Sequence, residues 1–117
     1  MDESELILAL DVHDALLARC ARGELELAAF LQRYDDFAMR WALDGHESDP
    51  VGRSTLERHA DRIHVHQRVC EEVIGHLTSE DLAIAPASRA AGFFGPTEAL
   101  KRLREIAVAA ALLDPAE

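Results

Sequence analysis

The sequence predicts an all-α fold: an antiparallel four-helix bundle with a structured loop before the last helix. Three observations carry this. Apolar residues recur at intervals of three and four along four segments, no run of strand length alternates apolar with polar, and turn formers separate the segments. At 117 residues, 49% of them hydrophobic, the chain is long enough to bury one core and too short for two, so a single helical domain over residues 1–117 is expected.

The first helix is read from about Asp2 to Arg22, with Leu6, Leu10, Leu17 and Ala21 on its apolar side. Gly23 ends it, after Arg19 and Arg22, whose charge suits the negative end of a helix dipole. Glu24 and Glu26 suit the positive start of a second helix, roughly Glu24 to Leu43, on which Leu27, Phe30, Tyr34, Phe37 and Trp41 form one stripe. Asp44 through Gly52 is rich in turn formers and acids and reads as a loop.

Ser54 and Glu57 stand at capping-box spacing and predict the start of a third helix. Its apolar line is Leu56, Ala60, Ile63, Val69 or Cys70, Val73 and Leu77, ending near His76. Between Thr78 and Pro96, Pro86, Gly92, Gly95 and Pro96 interrupt any long helix, while Ser79 can cap a short turn. Thr97 is expected to cap a last helix reaching about Leu113, with Leu100, Leu103, Ala107 and Ala110 on one face and Asp114-Pro115 as the stop.

Chemistry-bearing motifs are sparse. Cys20 and Cys70 lie apart, without CxxC or finger spacing, so neither a disulfide framework nor a structural zinc site is signalled. Of six histidines, His59, His64 and His66 fall on the third helix, with Asp61 nearby. His64 and His66 are two apart and point to opposite sides, and no second helix supplies matching ligands, so no metal and no cofactor are expected. There is no GxSxG elbow, no cysteine-enzyme neighbourhood and no P-loop; Gly92-Phe93-Phe94-Gly95 lacks the spacing and the lysine of one. The chain is read as non-enzymatic. Its start has neither a basic region nor a long apolar run, and no stretch approaches ~20 apolar residues, so a cytoplasmic location without a membrane span is expected.

The net charge of −10, from 22 acids and 12 bases, argues against nucleic acid or an anionic membrane and for a basic protein partner. Most of the surplus is in the first half, where residues 1–50 hold twelve acids against four arginines. Asp35, Asp36, Asp44, Glu47 and Asp49 are the candidates to meet a cationic surface. Phe93 and Phe94 either plug one end of the bundle or present an aromatic anchor, as Trp41 can at the end of the second helix.

The stretch Leu16 to Gly45, LLARCARGELELAAFLQRYDDFAMRWALDG, resembles the opening of the colicin D-type bacteriocin immunity proteins: a short helix, a turn at Gly23, then a helix carrying Phe30, Tyr34 and Trp41. The resemblance implies an acidic, cytoplasmic, cofactor-free four-helix bundle that binds a cationic nuclease toxin domain and blocks its active site by imitating the charge of the RNA substrate. It covers about 30 residues. The histidine-rich third helix and the Gly92–Pro96 loop depart from the pattern, so no family residues are transferred. On this reading Asp35, Asp36, Asp44, Glu47 and Asp49 stand in for phosphates, and Trp41 or Phe94 anchors the interface. Two other readings compete: a helical adaptor or homodimer pairing through the first and last helices, where residues 109–113 read Ala-Ala-Ala-Leu-Leu, and a metal protein using His59, Asp61, His64 and His66.

Overall fold

The computed structural model describes residues 3–34 and 50–116, and every regular element among them is helical. Helix α1 spans Glu3–Ala21, with Glu3 and Glu5 in its first turn and Arg19 in its last, each matched to the helix dipole. It buries Leu6, Leu10, His13, Leu16, Leu17 and Cys20. Gly23 then takes φ +81° and closes a Schellman turn, with Glu24 N–H bonded to Arg19 O and Gly23 N–H to Cys20 O.

Helix α2 begins at Leu27 rather than Glu24, because the Schellman turn uses the intervening residues. It buries Phe30 and ends at Arg33, short of the expected Leu43, because the buried Tyr34 takes extended backbone at φ −90° and ψ 115°. Residues 35–49, which include the acidic loop, lie outside the described residues.

The expected third helix is two helices and a distorted tail. Helix α3 covers Pro50–Arg58, so Ser54 lies inside it and accepts from Arg58 Nη1 instead of capping with Glu57. His59, at φ −112° and ψ 14°, interrupts the run, and α4 follows over Ala60–Arg68. A π-turn at Val69–Val73 and a 3-10 turn at Ile74–His76 complete the stretch, which ends where the sequence placed its end. The wider turn puts Val69 and Val73 in the core and leaves Cys70 half-buried.

The structured loop contains two short helices, α5 (Glu80–Ala83), capped by Ser79, and α6 (Pro86–Ala90). It is sewn down by Phe94 N–H to His76 O and Thr78 N–H to Phe94 O. Helix α7 runs Pro96–Ala109, and Thr97 is not its cap. Glu80 performs that role from a distance: its Oε1 accepts the Thr97 N–H at 2.8 Å, which holds the carboxyl below the usual range. Glycine at position 95 makes room, since a Cβ there would lie 2.7 Å from Glu80 Cδ.

The main core joins the second half of α1 with α2, the π-turn and α7, through Leu16, Leu17, Phe30, Val69, Val73, Leu103 and Ile106. A smaller cluster of Leu6, Leu10 and Ile63 joins the first half of α1 to α4. Leu113 folds back into the main core, so part of the apolar tail expected to be spare is already covered. No helix of the described residues is long and apolar enough to cross a membrane.

Helix α7 ends in the same Schellman geometry as α1, but with Ala111 at φ +60°. An L-residue with a Cβ is strained there. Ala111→Gly should therefore raise stability by about 0.5–1 kcal/mol, and Gly23→Ala should lower it by about 1 kcal/mol. Urea unfolding of the two variants checks both signs.

Candidate functional site

Of the residues expected to meet a partner, Asp35, Asp36, Trp41, Asp44, Glu47 and Asp49 fall within 35–49, outside the described residues. The structure does show what holds the chain on either side of them. On the near side, α2 delivers Tyr34 to a buried polar relay. The Tyr34 hydroxyl donates to His66 Nδ1 at 2.5 Å, and His66 Nε2–H donates to Asp14 Oδ1 at 2.7 Å. Arg62 donates through Nη2 to Asp14 Oδ2 at 2.7 Å and to Asp11 Oδ1 at 2.8 Å. This assignment of protons satisfies both ring nitrogens of His66. Tyr34 is 6% exposed and His66 2%, so leaving either polar group unpaired would be costly.

The relay crosses three elements because their helical registers coincide. Asp11 and Asp14 lie three apart on α1, and Arg62 and His66 lie four apart on α4, so each pair faces one way. His13 packs beside them, its ring edge-on to Tyr34 with centroids 4.9 Å apart, and its Nδ1–H bonds to Ala9 O. Phe30 lies against the other side of Tyr34 at 4.7 Å.

On the far side, the last residue of α3 and the residue after it are tied to the start of α1. Arg58 Nη2 reaches Glu3 Oε2 at 2.6 Å, and His59 Nε2 lies 3.2 Å from Glu3 Oε1. Hydrogen bonds from His59 and then Arg58 hold the Glu3 carboxyl below its ordinary value. Thr55, buried, ties its hydroxyl to Val51 O. The C-terminal end of α3, eight residues beyond Pro50, is thus tied to the first turn of α1.

These contacts divide the acids of the first half into two kinds. Glu3, Asp11 and Asp14 are matched by arginines of the chain itself. They do not form the open anionic face that the charge count suggested. Glu24 and Glu26 stand exposed at the turn, with no ion pair among the described residues.

Asp14 has a distinct electrostatic setting. Burial pushes its carboxyl up, but the bonds from His66 and Arg62 outweigh burial and bring it below the ordinary value. Its stabilising effect is complete above the unfolded carboxylate value, roughly 3.9, and is lost as pH falls through the lower folded value. Acid titration of unfolding should therefore show a steep loss of stability below about pH 4. In Asp14→Asn that part of the acid limb should be absent.

Phe94 does not stand on the surface. It is 8% exposed, packed in the main core, with the Arg102 guanidinium 4.3 Å from its ring centroid. Backbone bonds from its own N–H to His76 O and from Thr78 N–H to its carbonyl hold it turned into the core. Phe93, 41% exposed, is the outward member of the pair.

The third-helix histidines go separate ways: His59 to Glu3, His66 to Tyr34 and Asp14, and His64 to solvent. Among the described residues no group of three or more His, Cys, Asp or Glu is placed to hold a metal ion. Burial raises the Cys20 thiol to about 11, which leaves it protonated at neutral pH.

Asp14, Arg62 and the Tyr34–His66 pair were not singled out as a unit from the sequence. The signal was present as polar residues at apolar positions. His66 fills the gap between Ile63 and Val69 in the buried line, and His13 interrupts the line from Leu10 to Leu17. Comparison of the chain with family models, with characterised proteins and with solved structures gave no match.

Proposed function

We propose that this chain is a non-enzymatic binding protein whose acidic segment 35–49 docks a basic protein, most concretely as an immunity-type inhibitor that covers the substrate site of a cationic nuclease toxin. The single observation that carries the reading is the division of the acids. Glu3, Asp11 and Asp14 on α1 are paired with Arg58 and Arg62, whereas residues 35–49 bring five acids and one arginine. A concentrated anionic segment accelerates encounter with a cationic surface.

The scaffold proposed for it is an antiparallel four-helix arrangement: α1, α2, the α3–α4 stretch, and α7. The resemblance of Leu16–Gly45 to the immunity proteins supports the same reading. Asp35, Asp36, Asp44, Glu47 and Asp49 replace phosphates in it, and Trp41 supplies the aromatic anchor. Burial of Tyr34 and His66 favours a structural role for the relay over catalysis, since neither offers an accessible reacting atom.

The test uses the tagged full chain as bait in lysate of its source cells, washed at rising salt. A retained basic protein that elutes as salt screens the pairing, and that cuts RNA only when freed from the bait, supports the proposal. Retention of a neutral or acidic protein, or binding indifferent to salt, contradicts it.

A further inference from the structure

We propose that the outer face of α1 is a self-association surface that pairs two copies of this chain antiparallel about Val12. Five exposed residues, Glu5, Leu8, Val12, Ala15 and Arg19, lie on one stripe of the helix, turned away from the buried line of Leu6, Leu10, His13 and Leu17. Leu8 is 64% exposed and Val12 48%, which is unusual for two large apolar side chains one turn apart.

The order of residues along the stripe selects its occupant. Glu5 and Arg19 are each seven residues from Val12, Leu8 is four before it, and Ala15 is three after. A two-fold axis at Val12 therefore sets Val12 against the partner's Val12 and Leu8 over the small partner's Ala15. It also sets Glu5 opposite the partner's Arg19, and the symmetry makes that ion pair twice. A parallel pairing would oppose Glu5 to the partner's Glu5 and Arg19 to the partner's Arg19, so charge rejects it. The stripe is self-complementary in shape, polarity and charge, which a second copy satisfies without any other partner.

One helix pair of this length covers less than the ~1,600 Å² of a standard interface, so the dimer is expected in the micromolar range. Glu5, Val12 and Arg19 belong neither to residues 35–49 nor to the Asp14–His66–Tyr34 relay, so the variants that test dimerisation are distinct from those that test docking of a basic partner.

Sedimentation equilibrium of the untagged full chain between about 1 and 500 μM should show a monomer–dimer transition. Val12→Glu should weaken it at least tenfold, with the helical signal and thermal unfolding of the monomer unchanged. Glu5→Arg should also weaken it, and Glu5→Arg combined with Arg19→Glu should restore it. A monomer at every concentration overturns the proposal. So does a dimer that Val12→Glu leaves intact, or a double variant no tighter than Glu5→Arg alone.

Discussion

His66→Ala should cost about 4 kcal/mol, the largest effect of a single truncation in the relay. Two terms add. Removing the imidazole of a side chain that is 2% exposed leaves a cavity, and large-to-small changes in a core cost roughly 2–5 kcal/mol. The Tyr34 hydroxyl also loses its acceptor while remaining buried, which costs roughly 1–3 kcal/mol more. Part of this is returned by relaxation, because Asp14 keeps Arg62. Against a total stability of roughly 5–15 kcal/mol the variant is marginal, and the urea midpoint should fall by about 2 M. Tyr34→Phe, which keeps the ring packing on Phe30, should cost only about 1 kcal/mol. Equal and small effects of the two substitutions would mean that the relay contributes little.

The second large effect concerns binding. Reversing Asp35, Asp36, Asp44, Glu47 and Asp49 to lysine should weaken capture of the basic partner by at least about a hundredfold, since each attractive pairing becomes repulsive. Urea unfolding of the same variant separates loss of binding from loss of folding.

The all-α class was legible because helical periodicity is a property of short windows: Leu6, Leu10 and Leu17 mark α1 whatever surrounds them. Cap positions were less legible. Ser54 and Thr97 have the chemistry of caps, yet Pro50 and Pro96 open the helices earlier, and the carboxylate that caps α7 comes from Glu80, seventeen residues away. A cap supplied across the fold leaves no local pattern. The break at His59 and the π-turn after Arg68 likewise fall within a run whose apolar spacing reads as one helix.

The candidate site divided in the same way. Net charge by halves located the surplus, but counting charges cannot tell a carboxylate facing solvent from one facing an arginine fifty residues on. Asp11 and Asp14 face Arg62, and Glu3 faces Arg58. Those pairings offset Glu3, Asp11 and Asp14 and leave the surplus to the other acids of the first half, five of them in 35–49. Phe93 and Phe94 were equivalent as letters. Only the bridge of Phe94 to Leu77 decides which of them turns inward.

The most direct measurement sets two five-residue reversals side by side. One set changes Asp35, Asp36, Asp44, Glu47 and Asp49 to lysine; the other changes Glu57, Asp61, Glu71, Asp81 and Glu105, all exposed in the second half. The two variants carry the same net charge. Loss of the basic partner from the first alone, with the second binding as the native chain does, is the expected result. Equal loss from both would make the attraction a matter of overall charge, and retention by the first would remove the acidic segment from the interface.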